Sequence, residues 1–378
     1  MDFNFTDEQN MLRDSIAKFV AADYDFDKRR EMLKSADAWK KNWATFAEMG
    51  LLMAPIPEAH GGLGGGPIDV LVVMEEFGKG LVVEPYLQTA VIGAGFLKYA
   101  GSEAQKGEHL PAIGSGERVI AFAYAEPKGR YNLADLTTTA KKDKSGYTLN
   151  GHKAVVIGAP QADHLIVTAR TAGGQRDAKG VSVFIVPKNA KGVTTRDYPT
   201  IDGFRASEVY FENVSLGADA LIGPADEALP LIERVSDEAI AGLAAEAVGC
   251  MRQMHALTLD YAKQRKQFGV PIASFQVLQH RMVDMFMATE QSVSMAYMAA
   301  LKMGEAAEER ARAAAGAKVQ IGRAGRFVGQ AAVQIHGGMG VTDEMKVGHY
   351  FKRVTMIDAQ FGNVDHHLKR YADLSIAA

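Results

Sequence analysis

The sequence has 378 residues, of which 23% are charged, and its formal net charge is −3. This length suggests two or three domains, and the near-neutral charge excludes a broad electrostatic field for nucleic acid or an acidic membrane. Cys250 is the single cysteine, which excludes an intrachain disulfide and a cysteine-based zinc site and fits a reducing cytoplasm.

The amino-terminal region is predicted to be helical. Thr6 and Gln9 have the spacing of a capping box, and Leu12, Ile16 and Phe19 then recur at helical spacing. The first residues lack the apolar region of a secretory signal, and no apolar run approaches the roughly 20 residues that span a bilayer. We therefore expect a cytoplasmic protein without a membrane segment.

The helical pattern continues in "WKKNWATFAEMGLL" and "IDVLVVMEEFGKG", which are separated by a glycine-rich segment between Pro57 and Pro67. The glycines of this segment could cradle a phosphate, but so unspecific a pattern is more typical of a loop between helices. Residues 1–118 are therefore predicted to form an N-terminal helical domain.

The pattern changes to strands near residue 119. Short runs rich in Val, Ile, Phe, Tyr and Thr, such as "RVIAFAYAE" and "VSVFIVPK", are separated by turn residues, which predicts a compact antiparallel β domain over residues 119–223. Long amphipathic segments return over residues 224–378 and predict an antiparallel helical bundle. The predicted fold class is α+β with three domains.

A pair of glycines, Gly337 and Gly338, follows the last Ala-rich helical run in the stretch "AAVQIHGGMGVTDE". Backbone N–H groups without side chains in front of them form an anion site, so a phosphate could bind here. Glycine just past a helix end is also a common helix stop. The local pattern leaves both interpretations open.

The order of helices, strands and helices, together with several motifs, resembles the acyl-CoA dehydrogenase family of flavoproteins over nearly the whole chain. The strongest motifs are "RKQFGVPIASFQ", from Arg265 to Gln276, and "QIHGGMG", from Gln334 to Gly340. Weaker ones are "AEP" at Ala125 to Pro127 and "LNGHK" at Leu149 to Lys153. The resemblance implies a helical domain, a β-barrel-like middle domain and a four-helix bundle.

The resemblance also implies an FAD cofactor, an acyl-CoA substrate and an electron-transfer flavoprotein or similar acceptor. In the family a glutamate takes the α proton of the acyl group while the flavin takes the β hydride. The ADP end of FAD lies on the neighbouring subunit, where an always-charged arginine and exposed backbone N–H groups suit a diphosphate. The residues of this chain that match those contacts are Arg265, Phe268, Gln276, Gln334, Ile335, His336, Gly337 and Gly338.

The glutamate base is missing from both positions where family members carry it. Matching the glycine of the family's Tyr-Glu-Gly-Thr segment to Gly362 puts Phe361 at the base position, and phenylalanine cannot accept a proton. The other position, on the helix that leads to Arg265, holds Ala239. Glu238 is adjacent, but one helical step turns a side chain by about 100°.

The residues expected to contact the flavin ring also differ from the family pattern. The family's Thr-Glu-Pro begins here with Ala125, which has no hydroxyl, and the Trp-Ile-Thr strand is replaced by Val155, Val156 and Ile157. These residues also suit a plain core strand. The sequence therefore keeps the residues that a subunit contributes to the FAD site of its neighbour. It lacks the residues that would contact the flavin ring in its own FAD site.

This asymmetry predicts a subunit that supplies the ADP-binding half of the FAD site to a second acyl-CoA dehydrogenase-like chain in a heterotetramer. Unequal-chain relatives act on dicarboxyl-CoA or sterol side-chain CoA substrates, so the resemblance implies fatty acid or sterol side-chain degradation. The alternatives are a homotetramer with a displaced base, a flavin oxidase or monooxygenase, and a non-catalytic structural subunit. The candidate displaced bases are Glu238, Asp237, Asp358 and Asp365, and no metal site is predicted.

Overall fold

The structure is a computed structural model that describes residues 5–376. The chain divides into two compact units, each assembled from separate segments of the sequence. The first unit comprises Met1–Ala36, Pro67–Val82 and Ile240–Ala378, and the second comprises Asp37–Gly66 and Val83–Ala239. The three-domain division at residues 118 and 223 stays a prediction.

Along the chain, a helical region is followed by a strand-rich region and then by a second helical region. The α-helices among residues 5–376 are α1 (Asp7–Asp23), α2 (Phe26–Met32), α3 (Trp39–Glu48), α4 (Pro67–Gly80), α5 (Ala94–Ala100), α6 (Glu103–Gly114), α7 (Leu229–Gln264), α8 (Gln276–Lys302), α9 (Ala307–His336), α10 (Lys346–Ala359) and α11 (Val364–Ile376). The strands are β1 (Ile120–Ala123), β2 (Thr139–Lys142), β3 (Gly146–Ile157), β4 (His164–Arg170), β5 (Val181–Pro187), β6 (Val193–Pro199), β7 (Arg205–Gly217), β8 (Leu221–Ile222), β9 (Lys266–Gln267) and β10 (Val270–Pro271).

The first unit is helical. Helix α1 begins at the predicted capping box, because the Thr6 hydroxyl accepts from the Gln9 N–H at 3.2 Å and the Gln9 side chain accepts from the Thr6 N–H at 3.1 Å. Helices α8, α10 and α11 all pack on α9, and α8 also packs on α4. Five helices, α7 to α11, follow the sheet, and α9 lies at the centre of their packing. No helix between residues 5 and 376 combines the length and apolar content that crossing a membrane requires.

A buried ion pair joins α7 to α10 in this unit. The Arg353 guanidinium donates to both oxygens of Glu246, at 2.5 and 2.7 Å, and both side chains are almost fully buried. A bidentate pair of this kind specifies one orientation of the two helices. The helix α7 backbone also touches α4 closely, so that Gly78 and Gly249 have no room for a Cβ atom.

The second unit contains an eight-stranded sheet with the order β6-β7-β3-β2-β4-β5-β8, and β1 pairs with β4. Most neighbours are antiparallel, as predicted. However, β1 runs parallel to β4, and β2 makes one parallel pair with β4, so the sheet is not purely antiparallel. Parallel neighbours require a long connection between strands, and residues 124–138 supply part of it.

Candidate functional site

The carboxyl-terminal ends of α7 and α9 lie side by side in the first unit. The Tyr261 ring stacks on the His336 ring, with centroids 4.4 Å apart and planes inclined by 25°. The Tyr261 hydroxyl also donates to the His336 carbonyl oxygen at 3.4 Å. Arg265 follows the end of α7, and Gly337 follows the end of α9, so the two strongest motifs of the sequence meet at one surface.

A tight hairpin of β9 and β10 follows Arg265 and presents Phe268 at its tip. Phe268 and Gly269 form a two-residue turn in which both φ angles are positive, +54° and +80°. This conformation is uncommon for a phenylalanine, and the ring is 93% exposed. The hairpin returns to Arg265, whose carbonyl accepts from the Ile272 N–H at 2.8 Å, and leads to Gln276 at the start of α8.

The glycine pair ends α9 and leaves the backbone open. Gly337 has φ +60° and ψ −141°, which favours glycine, and its N–H donates to the Gln334 carbonyl oxygen. A Cβ atom built on Gly337 or Gly338 would meet nothing within 4 Å. The glycines therefore form both a helix stop and an accessible stretch of backbone, and the two interpretations of the sequence are compatible.

His336 carries a buried ring nitrogen that the described part of the chain does not use. Its Nδ1–H donates to the Ala332 carbonyl oxygen at 2.8 Å, and burial lowers the pKa of the ring. Burial disfavours the charged form of the ring, and in the neutral form with Nδ1–H the Nε2 atom carries a lone pair. No donor among residues 5–376 lies within hydrogen-bond distance of that buried nitrogen.

The predicted cofactor residues differ in exposure. Ile335 and His336 are buried, so only their backbones could take part in binding. Four predicted side chains are exposed together with both glycines: Arg265, Phe268, Gln276, Gln334, Gly337 and Gly338.

Neither expected base position holds an acid. Phe361 lies between α10 and α11 with φ +55°, and Ala239 is fully buried on α7. Glu246, two helical turns after Ala239, is committed to its ion pair with Arg353.

The candidate displaced bases have other partners or other surroundings. Glu238 accepts a short hydrogen bond from the Tyr99 hydroxyl and lies 3.9 Å from Lys98 Nζ and 3.8 Å from Arg234 Nε. Asp237 is fully buried. Asp358 faces Arg326 at 3.6 Å, and Asp365 is exposed on α11.

Two weak motifs of the sequence meet in the second unit. Glu126, from "AEP", and Lys153, from "LNGHK", form a fully buried ion pair in which Nζ and Oε1 are 2.7 Å apart. Burial raises the pKa of Glu126, but Lys153 and donors from Thr137 lower it to a net value of about 2. Burial likewise lowers the pKa of Lys153 to about 8, and Glu126 opposes that shift.

The strand that matches the family's flavin-lining segment is irregular at Val155. The register of β3 against β7 shifts between Lys153 and Val156, and Val155 has φ +51° while its side chain is 48% exposed. A positive φ is a genuine outlier for a β-branched residue. The Val155 N–H donates to Glu208, which also accepts from His152 at 2.6 Å.

Sequence reasoning missed a buried π-helix, Leu87–Gly93, in the second unit. Its Thr89 hydroxyl bonds both the N–H and the carbonyl oxygen of Ile120, at 3.1 and 3.0 Å, which ties the π-helix to β1. The Gln88 Oε1 is buried and has no donor among the described residues. Helices of this type are rare and occur often at functional sites, but no sequence pattern marks them.

One cavity in the first unit, of about 780 Å³, lies among α1, α2, α4, α7, α8 and α10. Two ion pairs line it, because Lys79 reaches Glu76 at 2.5 Å and Arg252 reaches Glu75 at 3.1 Å. Within residues 5–376 no three His, Cys, Asp or Glu side chains come together to hold a metal ion. None of the predicted cofactor residues lines this cavity, so it does not form part of the candidate site.

Three regions of the chain match the domains of a known protein family. Residues 6–117, 121–214 and 233–373 match, in that order, the N-terminal, middle and C-terminal domains of acyl-CoA dehydrogenases. The chain is 30% identical over 364 residues to the probable acyl-CoA dehydrogenase YngJ of Bacillus subtilis, a match that covers 95% of each protein. The chain belongs to the acyl-CoA dehydrogenase family. It is also 31% identical over 355 residues to the acyl-CoA dehydrogenase FadE12 of Mycobacterium tuberculosis, covering 90% of this chain and 89% of FadE12.

Solved structures of the acyl-CoA dehydrogenase fold superpose on the whole chain. Butyryl-CoA dehydrogenase from Megasphaera elsdenii superposes with a TM-score of 0.90 and is 25% identical in sequence. An FAD complex of PigA superposes with a TM-score of 0.89 and is 26% identical. A chain of the ChsE4–ChsE5 complex from Mycobacterium tuberculosis superposes with a TM-score of 0.88 and is 25% identical. Each of these three matches covers the whole of this chain and the whole of the matched chain. The predicted family, the α+β fold class and the oxidoreductase class are thus confirmed.

Proposed function

We propose that this chain is a subunit of an FAD-dependent acyl-CoA dehydrogenase and supplies the ADP-binding half of the FAD site to a catalytic partner chain. One contrast carries the proposal. The surface formed by Arg265, Phe268 and the two glycines is intact and open, whereas Phe361 and Ala239 occupy the base positions.

The surface at the ends of α7 and α9 fits an adenine dinucleotide. Arg265 is exposed and always charged, and its planar guanidinium suits a diphosphate. The open backbone at Gly337 and Gly338 allows a phosphate or ribose to approach without a steric barrier. When bound, FAD supplies the hydride-accepting chemistry, and these residues bind and orient its ADP end.

The second unit is poorly equipped to hold a flavin ring through side chains. Ala125 and Ile157 replace hydroxyl-bearing residues of the family pattern, and the carboxylate of Glu126 is already bound by Lys153 and Thr137. Because an isoalloxazine carries several hydrogen-bonding edges, an aliphatic surface binds it weakly. This difference between the ADP-binding surface and the expected flavin-ring surface favours a partner chain that has its own binding surface for the flavin ring.

The exposed Phe268 favours the same conclusion. An aromatic residue at a hairpin tip, 93% exposed and held on a backbone with positive φ, indicates a surface that another molecule covers. The two-chain ChsE4–ChsE5 complex has the fold of this chain, so a second acyl-CoA dehydrogenase-like chain is a physically suitable partner. We propose a heterotetramer that passes electrons to an electron-transfer flavoprotein or similar acceptor.

The flavin content of the purified protein tests the proposal. If half of the FAD contacts are absent, the chain expressed alone should retain on the order of a tenth of the FAD that a self-sufficient enzyme retains. Co-expression with a partner chain should restore FAD and acyl-CoA-dependent bleaching. A yellow, fully active preparation of this chain alone would overturn the partner hypothesis.

The alternative is a homotetramer with a displaced base, for which Glu238 was the first candidate. Its carboxylate is held by Tyr99, Lys98 and Arg234, which leaves little freedom to approach a substrate. Glu238→Gln should therefore leave turnover within about twofold, because that change removes no base from the reaction. A loss of more than about a hundredfold would reinstate Glu238 as the base.

A further inference from the structure

A small pocket in the second unit contains both tryptophans of the chain. It lies between the start of α3, the segment that leads from α6 into β1, and the turn between β3 and β4. Its volume is about 330 Å³, near the low end of the roughly 300–1,000 Å³ that is typical of ligand pockets. We call it the tryptophan pocket, and the lining residues that define it are Trp39, Lys40, Trp43, Glu117, Gln161 and Asp163.

The two indole rings form a corner of this pocket. Their centroids are 6.1 Å apart and their planes are inclined by 64°. The Trp43 Nε1–H donates to the Gly116 carbonyl oxygen at 3.0 Å, which fixes that ring, and Trp39 is half-buried and presents part of its ring to solvent. The face of an indole attracts cations more strongly than the face of any other aromatic side chain. The corner therefore favours a positively charged ligand.

The charges around the tryptophan pocket favour a cation as well. The carboxylates of Glu117 and Asp163 are exposed, and neither forms an ion pair within the described part of the chain. Lys40, the lysine of the lining, is already paired with Asp37 at 2.7 Å. The nearby cation Lys188 does not line the pocket, and its Nζ donates to two backbone carbonyl oxygens at 2.9 Å. The lining therefore carries a net negative charge.

The amide of Gln161 supplies an acceptor for N–H groups. Gln161 is half-buried in the turn between β3 and β4, and its Oε1 accepts from no donor among residues 5–376. Because no hydrogen bond holds this oxygen, the amide can rotate and present it to a ligand in the pocket without losing a contact. Carboxylates also accept strongly from charged N–H groups. A primary ammonium has three N–H donors for these acceptors, and a quaternary ammonium has none.

We propose that the tryptophan pocket binds a small primary alkylammonium ion, with the ammonium between the Trp39 ring and the carboxylates of Glu117 and Asp163. The volume of the pocket admits a short alkyl chain, which lies against the indole rings. The proposal is independent of the partner hypothesis, because no residue predicted to bind FAD lines this pocket.

The intrinsic fluorescence of the full chain tests the pocket directly. Trp39 and Trp43 are the only tryptophans of the chain, so a change in tryptophan emission reports on this pocket. The probes are n-butylammonium chloride, its neutral analogue n-butanol, and tetramethylammonium chloride. We expect n-butylammonium to bind at least about tenfold more tightly than either of the others, because only it offers both the charge and the N–H groups. No saturable change with n-butylammonium, or equal affinity for the three probes, overturns the proposal.

The variant Glu117→Gln tests the role of charge in the pocket. It should weaken n-butylammonium binding about threefold and leave the urea midpoint unchanged, because this carboxylate has no ion-pair partner in the described part of the chain. Glu212→Gln is the matched control, since Glu212 is an exposed carboxylate on β7 that does not line the pocket. Equal losses in the two variants would assign the binding to the general charge of the protein and overturn the proposal.

Substitutions of Trp39 test the role of the ring and leave Trp43 as the reporter. Trp39→Leu should weaken n-butylammonium binding at least about threefold, whereas Trp39→Phe, which keeps an aromatic face, should retain more of the affinity. The urea midpoint of each variant shows separately whether the fold is affected. Unchanged n-butylammonium affinity in Trp39→Leu would contradict the proposed site.

Discussion

The ring of Tyr261 stacks on the ring of His336 at a centroid distance of 4.4 Å, and this contact joins the end of α7 to the end of α9. It brings Arg265 to the same surface as Gly337 and Gly338, although about seventy residues separate them in the chain.

Arg265→Met should lower the FAD content of the assembly with its partner by about tenfold or more, because a charge-assisted contact to a diphosphate is lost. Lys266→Met, an exposed cation at the next residue, is the matched control and should change FAD content by less than about twofold. Equal losses in the two variants would mean that general positive charge, and not Arg265 itself, attracts the cofactor. The measurement is flavin absorbance per protein after gel filtration.

Gly337→Ala should weaken FAD binding and cost about 1–3 kcal/mol of stability, because alanine is strained at φ +60° and ψ −141°. Gly338→Ala has equal space around its Cβ and no positive φ, so we expect a stability change below about 0.5 kcal/mol. Urea unfolding and FAD titration measure both effects. Tolerance of alanine at Gly337 would show that the backbone there adjusts freely.

Lys153→Met should destabilise the protein by about 3–5 kcal/mol, because it leaves the Glu126 carboxylate buried without its cation. Adding Glu126→Gln should recover part of the loss, because it removes the buried charge and its single oxygen can still accept from the Thr137 N–H group, although the hydrogen bond of the Thr138 N–H to the other oxygen is lost. Lys141→Met, on the exposed side of β2, should change stability by less than about 0.5 kcal/mol. If Lys153→Met alone were as stable as the unmodified protein, a structural role for the Glu126–Lys153 pair would be contradicted.

Acid should weaken the second unit through His164. Burial, followed by the nearby Arg118 cation, lowers the pKa of His164 to about 4. The folded state therefore binds this proton less readily than the unfolded chain, whose histidine titrates near 6.5. Stability from the neutral ring is complete above about pH 6.5 and is lost as the pH falls towards 4.

Urea unfolding at pH 7.5 and at pH 5 measures this loss, which we expect to be about 1–2 kcal/mol after allowance for partial exposure. His164→Gln should flatten the dependence, while His280→Gln, on an exposed part of α8, should not. An equally steep dependence in His164→Gln would assign the acid sensitivity to other groups.

Several features of the fold could be predicted because they depend on residues close in sequence. Thr6 and Gln9 form the expected capping box, and the strand-rich runs between residues 119 and 223 form the expected sheet. The parallel pairing of β1 with β4 could not be predicted, because it depends on the path of a long connection. The π-helix at Leu87–Gly93 was missed for a similar reason, since its hydrogen-bond pattern leaves no periodic signature.

The candidate site could be predicted in its residue types but not in its contacts. Arg265, Phe268 and the glycine pair were identified from motifs, and the structure shows them exposed at adjoining helix ends. The unused Nε2 of His336 could not be foreseen. Whether a polar atom finds a partner depends on every element packed around it.

The sequence by itself determined the helical, β and helical order, because that order follows from local periodicity. It also placed Phe361 and Ala239 where the family resemblance expects an acid, and Arg265 where the resemblance expects a diphosphate contact, because those positions follow from residue identity within motifs. Only the tertiary structure decided that Glu126 meets Lys153, that Lys318 Nζ donates to the Gly362 carbonyl oxygen, and that Glu238 is already bound. Those contacts form only when residues distant in sequence pack together. Burying a charge or a hydrogen-bond donor without a partner costs free energy, so each of these contacts affects the stability of the fold.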